Sequence, residues 1–196
     1  MVLEAIKYRR GSLEILDQLK LPHQEIYLGI ESPEDAWHAI KSMQVRGAPA
    51  IAIVAALSLA VVGAKFIDST TESIVLHPEK PIPQFFSDKL KYLVTSRPTA
   101  VNLSEAATRL DGLVWTASKR SCSDKEVIET YIEAAEQMLR NDVNDNKNIG
   151  KFGAEWILQN TRPKDSTQKV SVVTHCNTGY LHSITINYEE DFLILK

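Results

Sequence analysis

From Ala48 to Ala64 the chain carries no charged side chain for 17 consecutive residues, and it must take that stretch out of water. Only a bilayer or a protein core can do so. Seventeen residues stand at the bottom of the range for a spanning helix, seven of them are alanine, and Pro49, Ser58 and Gly63 interrupt the run. A core helix, apolar on nearly every face and surrounded by other elements, fits better. With 196 residues, 44% of them hydrophobic, the chain can supply those surroundings: one domain, or one plus a fragment. Lys and Arg number 22 against 25 Asp and Glu, a net charge of −3, so no basic excess exists to neutralise nucleic-acid phosphates or an anionic membrane. Two cysteines, Cys122 and Cys176, make no disulfide framework, and the first residues lack a basic segment followed by an apolar one. Both features predict a reducing compartment.

The apolar runs Leu3–Ile6 and Leu13–Leu16 flank turn chemistry at Gly11-Ser12, which predicts a hairpin, and Glu25–Leu28 predicts a third strand. Ser32-Pro33-Glu34-Asp35 combines a capping serine, a proline at the first helical position and two first-turn acids. The helix it opens carries Ala36, Ile40 and Met43 and stops near Gly47; the uncharged helix follows from Pro49. The polar, proline-broken segment 68–83 reads as a loop. Apolar spacing then predicts helices over 84–95, 103–118, 123–141 and 149–158. Thr161–Thr167 reads as a linker, and Lys169–Thr174 as a β-branched strand of the parallel-sheet type.

Three polar clusters stand at element boundaries, where scaffolds place chemistry. In Val45-Arg46-Gly47-Ala48-Pro49 a helix N-terminus, a glycine and a guanidinium fork together suit a phosphate; the plain alternative is a helix boundary with a solvated arginine. Ser96-Arg97-Pro98-Thr99-Ala100-Val101-Asn102 is a second arginine junction, or else a capped turn. The third, Val172-Val173-Thr174-His175-Cys176-Asn177-Thr178-Gly179, is a buried strand ending in polar residues, the usual edge of an α/β ligand crevice. Cys176 there is a candidate nucleophile or acid/base group, or a buried inert thiol. Neither cysteine has a second ligand at zinc spacing.

The order and separation of these clusters resemble the methylthioribose-1-phosphate isomerases, and the resemblance runs from Leu3-Glu4-Ala5-Ile6 to Gly179, with Asp145–Gly150 also similar. Their superfamily includes ribose-1,5-bisphosphate isomerases and regulatory subunits of a translation-initiation exchange factor. The resemblance implies an α+β chain: a small amino-terminal β region and a helical domain over 1–166, then over 167–196 the first strand of an incomplete Rossmann-like α/β domain. It implies an aldose–ketose isomerase of methionine salvage. On the resemblance, Arg46, Gly47, Ala48 and Arg97 are expected to bind a sugar phosphate, and Cys176 to stabilise the transition state or exchange a proton. Neither metal nor cofactor is implied; a homodimer is, in the cytoplasm and in the nucleus as well. The family's acid/base aspartate, in a Gly-Ala-Asp segment, has no counterpart among the 196 residues, and from about Tyr180 the sequence departs from the pattern. The expectation is a truncated, inactive product. The alternative function is a non-catalytic binding or regulatory fragment of the same superfamily.

Overall fold

The computed structural model describes residues 4–68, 80–120 and 123–160, together with the backbone of 170–173 and 192–195. Two compact units divide between Leu139 and Arg140.

In the first unit, β1 (Ile6–Arg9) and β2 (Ser12–Leu16) pair antiparallel with Arg9 opposite Ser12, so Arg10 and Gly11 make the turn. Gly11 supplies the positive φ, 81°, that the tight reversal needs. The hairpin is the expected one, although its first strand begins at Ile6 rather than Leu3. β3 (Tyr27–Gly29) adds on the far side of β2. Alternation along β2 buries Leu13 and Ile15 and exposes Ser12 and Glu14, so one face of the small sheet meets the helices.

The helix α1 (Pro33–Lys41) opens as expected: the Ser32 side chain accepts from the Asp35 N–H, and the Asp35 carboxylate accepts from the Ser32 N–H. Next comes α2 (Ala48–Asp68), the uncharged stretch, buried at every position from Ala50 to Val61 and again at Gly63 and Ala64. Among the described residues it is the one helix long and apolar enough to cross a membrane, and it lies inside the unit. Around it pack α1, α3 (Ile82–Val94), α4 (Val101–Arg120) and the strands β1 and β2. Its own buried hydroxyl, on Ser58, donates to the Ala55 carbonyl.

The last helix, α5 (Asp124–Asn160), is continuous for 37 residues where the sequence predicts two helices. The asparagine-rich stretch 141–148 has poor helix propensity, yet the turn is kept, with the Asn146 side chain donating to the Asp142 carbonyl four residues back. The compact units divide inside this helix, while the expected linker at 161–167 lies outside the described residues. The first part of α5 lays the expected stripe, Val127, Ile128, Tyr131, Ile132 and Ala135, into the core. Tyr131 is fully buried, tilted against Phe86 at 4.5 Å between ring centres, and its hydroxyl donates to the Ala56 carbonyl of α2. Burial pushes the Tyr131 phenol well above its ordinary range. Gly63 lets α5 come close: a Cβ there would sit 2.8 Å from Cγ2 of Ile128. At the hairpin, Arg10 pairs with Glu129 and Glu136, and the Tyr8 hydroxyl donates to Glu136.

In the second unit, β4 (Val170–Val173) and β5 (Phe192–Leu195) pair parallel, with Val170 opposite Phe192. The described residues are thus mixed and mostly helical, with one three-stranded sheet and this parallel pair among them.

Candidate functional site

The Arg46 junction begins at the end of α1, which stops at Lys41 and not near Gly47. Met43, with φ 64°, occupies the left-handed position that usually selects glycine. The Met43 N–H donates to the Ile40 carbonyl and the Gln44 N–H to the Ala39 carbonyl, so the last turn is closed by main-chain bonds. Sequence spacing alone could not show this stop, because no glycine marks it. Met43 belongs to the cap and not, as expected, to the helix.

From there the chain is tied at almost every residue. The Arg46 Nε donates back to the Met43 carbonyl at 3.2 Å. Gly47 is buried with φ 97°, and its carbonyl accepts from the Ile51 N–H at 2.9 Å, the first full turn of α2. Ala48 is the first residue of that helix and is part-buried. The first turn of α2 holds no acid, and Pro49 has no N–H, so Ala48 and Ala50 supply its free donors.

The Arg97 junction joins α3 to α4 and is simpler. The N–H groups of Thr95, Ser96 and Arg97 donate to the carbonyls of Tyr92, Leu93 and Val94, and the Arg97 carbonyl accepts from Ala100. The buried Ser96 hydroxyl donates to Leu93. This is the capped turn read from the sequence, with the Arg97 side chain part-buried beside it.

The structure links both junctions to α1. Its C-terminal cap forms the first, and its Trp37 holds the second: the indole Nε1 donates to the Thr95 hydroxyl at 2.9 Å, and the ring stacks on Tyr92 at 5.8 Å. Among the described residues, neither Arg46 nor Arg97 pairs with a carboxylate. Two guanidinium groups with no counter-ion among the described residues, and a helix N-terminus with no acid in its first turn, are equipped for an anion. Cys176, with His175 and the rest of 174–179, lies outside the described residues, as does Cys122.

Two polar residues that sequence reasoning passed over stand behind the Arg46 junction. Asp17 and Gln18 follow β2 directly and are both buried. Asp17 Oδ1 accepts from the Leu19 N–H, and its Oδ2 accepts from Gln44 Nε2 at 3.3 Å. The Gln18 N–H donates to the Gln44 carbonyl at 2.9 Å, and Gln18 Nε2 to the Arg46 carbonyl at 3.4 Å. The only signal available in the sequence was a polar pair directly after an apolar strand.

A methylthioribose-1-phosphate isomerase from Pyrenophora tritici-repentis is 54% identical over 183 residues, which is 92% of this chain and 44% of that protein. One from Aspergillus terreus is 50% identical over 187 residues, 92% of this chain and 47% of that one. The chain thus spans less than half the length of these curated relatives. Among solved structures, 5-methylthioribose 1-phosphate isomerase from Pyrococcus horikoshii superposes with a TM-score of 0.70 at 28% identity, over 92% of this chain and 45% of that one. The delta subunit of translation initiation factor eIF-2B from A. fulgidus gives 0.67 at 27%, over 93% and 47%. A sequence profile described as the initiation factor 2 subunit family matches residues 44–192. On that match, which takes in both arginine junctions and the Cys176 run, the chain belongs to the initiation factor 2 subunit family.

Proposed function

We propose that this chain carries the sugar-phosphate half of a methylthioribose-1-phosphate isomerase site. The observation that supports it best is the 54% identity, over 92% of the chain, to a relative bearing that name. The reaction turns 5-methylthioribose 1-phosphate into 5-methylthioribulose 1-phosphate. The ring C1–O bond breaks and the ring oxygen gains a proton; the hydrogen on C2 moves to C1, and the C2 hydroxyl loses its proton as the ketone forms. Nothing is oxidised or reduced overall.

In this reading the phosphate dianion takes the guanidinium groups of Arg46 and Arg97, and the first N–H groups of α2 beyond Gly47 and Ala48. Gly47 gives the backbone the angle needed there and leaves no side chain in the way of the ester. Cys176 holds or relays a proton near C1 and C2, or stabilises the transition state. The parallel β4–β5 pair supports placing residues 167–196 in a Rossmann-like α/β domain, with Cys176 just beyond the carboxyl end of β4. A homodimer in cytoplasm and nucleus completes the proposal.

The likeness to the eIF-2B delta subunit supports a second reading, a non-catalytic regulatory fragment. Calorimetric titration of the 196-residue chain with 5-methylthioribose 1-phosphate separates the two. The isomerase reading expects binding that Arg46→Ala and Arg97→Ala each weaken by about tenfold or more, as for charge-assisted contacts. Binding no tighter than that of inorganic phosphate, and indifferent to both changes, overturns it. Turnover by the 196 residues alone is not expected, since no Gly-Ala-Asp segment is among them. Cys176-dependent ketose formation would show that expectation to be wrong.

A further inference from the structure

We propose that Gln18 is a positioning residue, which fixes the Arg46–Gly47 peptide and the Arg46 guanidinium for an oxyanion; this rests on the reading of Arg46 as a phosphate ligand. Gln18 lies 28 residues from Arg46 in the chain and is 7% exposed. Its side chain faces a choice of two orientations. Turned one way, Nε2 donates to the Arg46 carbonyl; turned the other, Oε1 would meet that carbonyl, acceptor against acceptor. The observed orientation is the first, and it leaves Oε1 buried with no hydrogen-bond partner among the described residues. A side chain that served only to fill space would avoid that loss by being apolar. Gln18 instead sacrifices its acceptor to hold one carbonyl.

That carbonyl matters because a trans peptide is planar: aiming the Arg46 C=O at Gln18 sends the Gly47 N–H the opposite way. A second tie, from Arg46 Nε to the Met43 carbonyl, starts the guanidinium from this same held backbone. Asp17 and the Gln18 main chain hold the neighbouring Gln44, so the turn cannot rotate as a unit. Preorganised donors bind an anion without the cost of ordering them first.

The test uses Gln18→Met, close in volume and without polar atoms, on the whole 196-residue chain. It removes the tie and the unpaired acceptor together, so the melting temperature stays near that of the wild type. Affinity for inorganic phosphate, read by calorimetry, falls about five- to tenfold, the worth of one hydrogen bond. Amide exchange over residues 44–47 speeds up, while exchange in α2 beyond Ile51 does not change. Gln18→Asn, one methylene too short to reach, behaves likewise and covers the case of a poorly folding Met variant. If Arg46→Ala loses phosphate and neither Gln18 variant does, Gln18 has no positioning role although the site stands. If the wild type binds no phosphate, the site reading fails and exchange alone decides: faster exchange at 44–47 upholds the clamp, and unchanged exchange overturns it.

Discussion

The two ends of α2 both depend on a glycine, for opposite reasons. Gly47, just before the helix, is needed for its backbone angle, φ 97°, which L side chains rarely adopt. Gly63, in the last turns, needs no special angle; it is there for lack of room, with Ile128 of α5 where its Cβ would be. The first end carries the proposed anion site and the second closes the core. One helix thus separates its chemistry from its packing by about four turns, and substitutions at the two ends should report on different properties.

The largest effect is expected at the packing end. Gly63→Leu forces side-chain atoms into α5 and should cost about 3 kcal/mol in urea denaturation, the upper part of the usual range for overpacking. Gly63→Ala costs less, because better helix propensity, worth about 1 kcal/mol, offsets part of the clash. Ile128 is β-branched and stiff at χ1, so it cannot simply turn aside. Adding Ile128→Ala to Gly63→Ala should therefore cost less than the two single losses combined. Strict additivity of the two would mean that the helices do not meet there.

At the other end, Gly47→Ala puts a Cβ on a strained backbone and should cost about 2 kcal/mol, within the usual range for such strain. Unlike Gly63→Ala, it should also abolish phosphate binding, because the residue sits beside Arg46 and not beneath it. Equal loss of phosphate affinity in both alanine variants would erase the distinction between the ends.

Sequence and structure agree best where the cause is local. The Ser32–Asp35 cap, the hairpin at Gly11 and the burial of α2 follow from neighbouring residues or from the composition of one segment. The two arginine junctions were legible too, as breaks between helices. What escaped depends on distant residues. Asp17 and Gln18 gain meaning only when β2 is folded against the end of α1. The 141–148 stretch of α5 looks like a break by propensity but continues as helix, and the stop of α1 at Lys41, with Met43 in its cap, carries no glycine to announce it.

Between the glycines, Tyr131 tests how far the packing region extends toward the middle of α2. Tyr131→Phe removes its hydroxyl's bond to the Ala56 carbonyl and should cost about 1 kcal/mol at neutral pH. The sign reverses in alkali. Burial raises the folded-state phenol above its unfolded value of about 10, so its contribution is intact below pH 10 and is lost as pH rises beyond it, by about 1.4 kcal/mol per unit. Tyr8, raised first by burial and then by Glu136, slopes the same way in both proteins. The variant, lacking only the Tyr131 term, should match the wild type near about pH 11 and exceed it above. Stability curves that stay parallel would mean that the phenol is wet.

The smallest effect belongs to Met43, where the site end borrows the device that Gly47 uses without using its residue. Its φ of 64° costs an L side chain about 1 kcal/mol, yet the side chain is exposed and gains little by packing. Met43→Gly relieves that strain and adds unfolded-state entropy of about 0.4–1 kcal/mol, so the net gain in stability should be at most about 0.5 kcal/mol. Both main-chain bonds of the cap survive the change, and so does the carbonyl that accepts from Arg46. Phosphate affinity should therefore hold while the urea midpoint rises slightly. A glycine that destabilised the protein by 1 kcal/mol or more would show that the thioether packs onto the junction, and that the conformation of the site end rests on side-chain contact as the Gly63 end does.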